Sequence, residues 1–222
     1  KKNGYEIYGI DLFKPKDLKG MEFFECDLNN ISSNKDKKDS LFNSINNWKD
    51  NSNINVLINN AAYQFISTRH PIDINQFNRT LNVNLIAPYM LIAHFSKDLE
   101  ITNGSVINIS SIHAKLTKPG FSLYSSSKAA LSMLTKSLAI DFGGKFRVNC
   151  IEPAAIDTKM LREGFNKNNL SDLAGYHPQN RIANPIEVAE LALKISMSDI
   201  EFLHGSCIDM SGAISSRLHD PE

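Results

Sequence analysis

Gly104-Ser-Val-Ile-Asn-Ile-Ser-Ser111, followed by Tyr124-Ser-Ser-Ser-Lys128, decides how this chain reads. The first stretch is a short apolar run with the length and β-branched content of a buried strand, and Ser111 carries a hydroxyl to its C-terminal end. From Ser125 to Ala139, Ala129, Leu131, Leu134 and Leu138 recur at helical spacing beside a face of small residues. A strand feeding a helix is the repeating unit of parallel sheets, and ligands in open α/β sheets bind beyond the carboxyl ends of the strands. Ser111, Tyr124 and Lys128 are therefore expected to meet at one such end.

On a helix, positions i and i+4 share a face, with Cβ atoms about 5–6 Å apart. An ammonium that close to a phenol favours phenolate and lowers a pKa otherwise near ~10. Such a tyrosine can exchange a proton with an alcohol or carbonyl oxygen near neutral pH, and Ser111 can hydrogen-bond the same oxygen. Of the six tyrosines, only Tyr124 has a lysine four residues later. The pair alone is a weak signal, because helices bring aromatics and lysines together for ordinary packing reasons. Its setting gives it weight.

Outward from this centre, short apolar runs alternate with helical patterns. Strands are expected at Tyr5–Ile10, Glu22–Cys26, Val56–Asn59, Ser105–Ile109, Arg147–Ile151 and Cys207–Asp209. Helices are expected at Lys37–Lys49, from Ile74 through Asn84 to Lys97, at Ser125–Phe142 and at Pro185–Met197, the last capped by Asn184. Asn166–Asn180 reads as a mobile loop within a substrate-loop region over about 159–182. No repeat, linker or composition break divides residues 1–222, so a single domain with a mostly parallel, doubly wound sheet is expected.

The 222 residues are 42% hydrophobic and carry 24 basic and 24 acidic side chains. That balance offers no electrostatic case for nucleic acid or an anionic membrane. The longest apolar stretch, Leu85 to Phe95, contains Pro88 and His94 and is too short to span a bilayer. Cys26, Cys150 and Cys207 lie far apart, with no C-x-x-C or H-E-x-x-H spacing, so no metal site is expected. Reduced thiols, no opening signal peptide and a neutral charge lead to an expected cytoplasmic location.

Several segments, in order, resemble the short-chain dehydrogenase/reductase family in its short, single-domain branch. They are Ile7-Tyr-Gly-Ile-Asp11, Cys26-Asp-Leu28, Asn59-Asn-Ala-Ala62, Asn82-Val-Asn84, Ile107-Asn-Ile-Ser-Ser111 and Tyr124-x-x-x-Lys128. The series continues with Arg147-Val-Asn-Cys-Ile-Glu-Pro153, Ile156-Asp-Thr158, Pro185-Ile-Glu-Val-Ala189 and Gly205 through Asp209. The resemblance implies a Rossmann-like fold and an NAD(P)-dependent oxidoreductase interconverting an alcohol and a carbonyl. It implies Ser111, Tyr124, Lys128 and Asn84 as catalytic residues, with Asn84 holding a water in a relay to Lys128. For the cofactor it implies Asp11 at the adenosine ribose and Asp27 with Leu28 at the adenine. Asn60 and Ala61 would bring backbone near it, Tyr124 and Lys128 would lie at the nicotinamide ribose, and Pro153, Ile156 and Thr158 at the carboxamide. A carboxylate at Asp11 would repel a 2′-phosphate, favouring NAD over NADP. Association as a homodimer or homotetramer, through the helices carrying Asn84 and Tyr124, is a further expectation of the resemblance. The substrate would be a small molecule, with His113, Phe121, Leu161, Phe165, Tyr176 and His177 as candidate pocket residues.

The chain also departs from the family pattern. Ala62 and Ala154 stand where glycine is usual, and Asp209-Met-Ser-Gly212 replaces a common Asp-Gly-Gly ending. No G-x-G-x-x-G or G-x-x-x-G-x-G occurs, although such turns cradle the pyrophosphate. The family's first strand and helix are therefore expected to be missing from these residues, which by themselves should bind NAD poorly. Two alternatives stay open: a lyase or epimerase using the same groups, and a non-catalytic binding protein that keeps the fold.

Overall fold

A computed structural model describes residues 4–18, 20–67, 73–163 and 167–217. In chain order the strands are β1 (Tyr8–Asp11), β2 (Glu22–Glu25), β3 (Val56–Asn59), β4 (Ser105–Ile109), β5 (Arg147–Pro153) and β6 (Cys207–Met210). The helices are α1 (Lys35–Lys49), α2 (Ile74–Leu81), α3 (Ala87–Ile101), α4 (Ser122–Phe142), α5 (Lys159–Glu163), α6 (Lys167–Tyr176) and α7 (Pro185–Ser196). A π-helical segment, Asn82–Ile86, joins α2 to α3, so one continuous rod replaces two helices.

All strand pairs are parallel, but they form two sheets: β1-β2, and β3-β4-β5-β6. The expected single sheet is thus corrected to a split one. The split lies between β1 and β3, where the resemblance puts the family's central first strand. Within the larger sheet, side-chain alternation fills both faces. Val106 and Val148 pack toward α1 and α3, against Leu41, Ile45, Leu91, Ile92, Phe95 and Leu99. Ile107 and Ile151 face the other way, onto Ala192 and Ile195 of α7. Strands covered on both faces have to be apolar nearly throughout, which is why β4 reads as an uninterrupted run.

Local signals fix the element ends. Asn34, Asp73 and Asn184 cap α1, α2 and α7 by accepting backbone N–H bonds, and Glu187 closes a capping box on α7. Gly104 opens β4 because a Cβ there would sit 2.5 Å from the Asn55 carbonyl oxygen. Neither Ala62 nor Ala154 has a positive φ, so the methyl group is accommodated at both positions without backbone strain. The stretch read as a mobile loop contains α6 instead, because Leu170, Leu173 and Ala174 supply one partly buried helical stripe. Phe165 lies outside the described residues. Among the described residues, no helix is long and apolar enough to cross a membrane.

Candidate active site

The C-terminal ends of β3, β4 and β5 open into a cleft of about 1060 Å³ that also reaches β1 and β2. Its lining contains Ser111, Tyr124 and Lys128, together with Asp11, Asp27, Leu28, Asn60, Ala61, Pro153, Ile156 and Thr158. These residues come from five strand ends and from α4, yet they surround one space. His113, Phe121, Leu161 and His177 also line it, whereas Tyr176 is 60% exposed and is not part of the wall.

Ser111 leaves β4 in an extended conformation and caps a short turn, its Oγ accepting the His113 N–H at 3.2 Å. The same hydroxyl hydrogen-bonds the Tyr124 phenol. Tyr124 sits one turn into α4 and is buried, its ring set edge-on to His113 and Phe121. Lys128 is only 2% exposed, and its Nζ donates to the Ile109 carbonyl at 2.8 Å while lying 5.6 Å from the Tyr124 ring centroid. Ser110 points away from Ser111, as alternation requires, and donates to the Lys128 carbonyl at 2.8 Å. α4 is thereby tied to the end of β4 by two hydrogen bonds, one at each end of Lys128.

The electrostatics correct the sequence reading. The phenol of Tyr124 is not lowered: burial pushes it up to about 12, opposed by the Ser111 hydrogen bond. The group that moves toward neutrality is the lysine, because burial pushes Lys128 down to about 8. Removal from water outweighs the mutual influence of the two groups, each penalised in its charged form. His113, stacked on Phe121 at 4.5 Å, is driven down to about 4 by burial and by Lys118, so a neutral imidazole faces the cleft at pH 7.

Asn84 does not reach the cleft wall. It is fully buried on the π segment, and its side chain donates to the Tyr63 carbonyl and to Ser127 Oγ, both at 2.9 Å, while accepting the Tyr63 N–H at 2.7 Å. Ser127 in turn donates to the Tyr124 carbonyl at 2.7 Å. All three side-chain bonds of Asn84 thus clamp the segment after β3 to α4. The side-chain amide of Asn84 is therefore fully engaged within the protein. Asn84→Ala would strand three buried groups, each costing about 1–3 kcal/mol when unpaired. Urea unfolding should register a loss of about 3 kcal/mol, against less than ~0.5 kcal/mol for an ordinary surface asparagine.

Asp11 ends β1 exposed, its Oδ1 accepting the Leu12 N–H at 2.6 Å. Asp27 caps the turn Leu28–Asn30 through Asn29 N–H at 3.0 Å, so the Asx-turn role exists alongside its place in the cleft. Asn82 bonds the side chains of Asn29 and Ser32, joining that turn to the π segment. Two sets of residues escaped the sequence reading. Asn59 donates to Asn108, and Asn108 to Thr135, each within 2.9 Å, stitching β3, β4 and α4 together under the cleft floor. Gln64, Arg79 and Lys118 contribute further wall, Arg79 from α2 and the other two from the segments after β3 and before α4.

A family model described as Enoyl-(Acyl carrier protein) reductase matches residues 15–213. The chain belongs to the short-chain dehydrogenase/reductase family. Among members with curated names, it is similar to the short chain dehydrogenase asqE of Emericella nidulans, 31% identical over 72% of this chain. It is likewise similar to 2-(R)-hydroxypropyl-CoM dehydrogenase of Xanthobacter autotrophicus, 29% identical over 72% of this chain. These matches span only 62% and 66% of the two relatives' own lengths. Among solved structures, the ligand-free aldohexose dehydrogenase of Thermoplasma acidophilum superposes with a TM-score of 0.88 at 27% identity, covering 100% of this chain and 89% of that one.

Proposed function

We propose that this short-chain dehydrogenase/reductase interconverts an alcohol and a carbonyl by hydride exchange with a nicotinamide dinucleotide. The observation that carries the reading is the convergence of Ser111, Tyr124 and Lys128, all buried, on one wall of the cleft. A relative named 2-(R)-hydroxypropyl-CoM dehydrogenase and a structural neighbour named as an aldohexose dehydrogenase support it.

The cleft chemistry fits the cofactor at both ends. Asp11 offers a carboxylate for the adenosine ribose hydroxyls, and Ile156 and Thr158 offer backbone and hydroxyl groups for an amide. Bound there, the nicotinamide supplies or accepts the hydride. With its pKa near 12, Tyr124 keeps its proton at neutral pH and is suited to donate it to a carbonyl oxygen. Ser111 orients that oxygen and stabilises the charge that develops on it. Lys128, poised near 8, can change protonation state within the working pH range. Asn84 acts as a positioning residue, holding α4 in register with the cleft floor.

The exposed carboxylate of Asp11 favours NAD over NADP, with Lys14 the nearest basic residue on that loop. The same reading has the protein cytoplasmic and assembled as a homodimer or homotetramer through α3 and α4. The exposed apolar side chains of Tyr89, Met133 and Ile140 on those helices support that surface. Absorbance assays with the purified protein, run over a panel of small ketones and aldehydes, test the proposal. NADH should be used at least ~10-fold more efficiently than NADPH, and Asp11→Ser should erase most of that preference; the ~1.4 kcal/mol involved is within the range of one charge contact. Absence of nicotinamide oxidation with every carbonyl would reject the reading.

A further inference from the structure

A second cluster of reactive side chains lies on the sheet, away from the proton-transfer groups. Cys150 and Cys207 stand 57 positions apart in the chain but are register partners on β5 and β6. Glu152, two residues beyond Cys150, shares its face of the sheet. The two sulfurs and a carboxylate oxygen lie within 4.8 Å of one another. Cys150 and Glu152 are fully buried and Cys207 is half-buried, so one side of the cluster is open to solvent.

A carboxylate this deep needs compensating charge. It comes from the Lys115 ammonium, 2.5 Å from Oε2, on a side chain that is itself 53% exposed. Ser132 Oγ on α4 lies 2.8 Å from Oε1. The buried partners are rigid strand residues, whereas the cation is delivered by a surface arm that can swing into water.

We propose that Cys150, Cys207 and Glu152 form a site for one thiophilic divalent cation of the zinc class, with Lys115 supplying the positive charge when the site is empty. Two sulfurs and a carboxylate are a donor set that zinc prefers, and a water entering beside Cys207 completes four-coordination. Tetrahedral zinc with bonds of about 2.3 Å to sulfur brings two sulfurs to roughly 3.8 Å, so the ligands need to close by no more than about 1 Å. Sequence spacing argued against any metal because the usual signal is two ligands a few residues apart. Here the pairing of β5 with β6 supplies the proximity that spacing does not. Occupied, the site would staple β6 to β5 under α4, one hydroxyl contact from Ser110 and the Lys128 carbonyl.

The test is a Co²⁺ titration of the reduced, metal-stripped full chain, with Zn²⁺ as competitor. A thiolate-to-cobalt charge-transfer band should saturate at one equivalent and disappear on adding Zn²⁺. Cys207→Ser should weaken Co²⁺ binding at least ~10-fold and remove at least half of the band. Lys115→Met leaves every ligand in place but takes the counter-charge from Glu152, so its fold is verified by circular dichroism before the titration. It should tighten Co²⁺ binding by about 10-fold, because the competing ammonium is gone. The proposal is overturned if neither the wild type nor Lys115→Met develops the band, or if Cys207→Ser leaves it unchanged.

Discussion

Tyr124→Phe is expected to lower turnover by about 10³-fold or more while leaving dinucleotide binding within about two-fold of wild type. The substitution removes one oxygen and keeps the ring that packs edge-on against His113 and Phe121. Ser111 would still offer a hydroxyl to the substrate oxygen, so orientation survives and only the proton donor is lost. A water admitted by the missing oxygen is a poorer proton donor than the phenol, since its own pKa is higher. Steady-state rates and a fluorescence titration with NADH, run on the same preparation, separate the two effects. Turnover within ten-fold of wild type would remove Tyr124 from the chemistry.

Lys128→Met carries the second large effect, and its two consequences have opposite signs. Activity should fall below detection, since the only group poised near neutrality beside Tyr124 is gone. Stability at pH 7 should rise. The folded pKa of Lys128 is about 8 against an ordinary 10.5, so below pH 8 the native state holds a charge it would rather not bury. Between 8 and 10.5 the unfolded chain binds more protons than the folded one, and stability climbs with pH across that window. The full penalty, present below 8, is roughly 3 kcal/mol at about 1.36 kcal/mol per pKa unit. Methionine loses the bond to the Ile109 carbonyl, worth about 1 kcal/mol. A net gain of about 2 kcal/mol should raise Tm by roughly 4–8 °C at pH 7. The gain should shrink toward pH 10, where wild-type Lys128 is already neutral. A Tm unchanged or lowered at pH 7 would mean that the ammonium is better compensated than its surroundings indicate. A catalytic group that costs stability is what a site shaped for chemistry rather than for packing should contain.

Much of this architecture was legible one segment at a time. β3 and β4 begin and end where the apolar runs do, and α7 starts at its Asn184–Pro185 signal. Tyr124 and Lys128 share a helical face because a period of 3.6 is a property of the backbone. Ser110 and Ser111 diverge because a strand alternates. What the sequence left illegible has a common cause. Asn84 spends its side chain on Tyr63 and Ser127, partners that lie 21 and 43 positions away. The shift of Tyr124 was given the wrong sign because depth of burial, unlike the neighbour four residues on, cannot be counted along the chain.

By itself, the order of residues determined the parallel α/β class and where its strands and helices lie, since these follow from periodicities within a single element. Only the tertiary structure decided which protonation states the reactive groups hold, that the strands divide into two sheets, and that Cys150, Glu152 and Cys207 stand together. Desolvation and strand register arise between elements, and they take effect only once distant segments have packed.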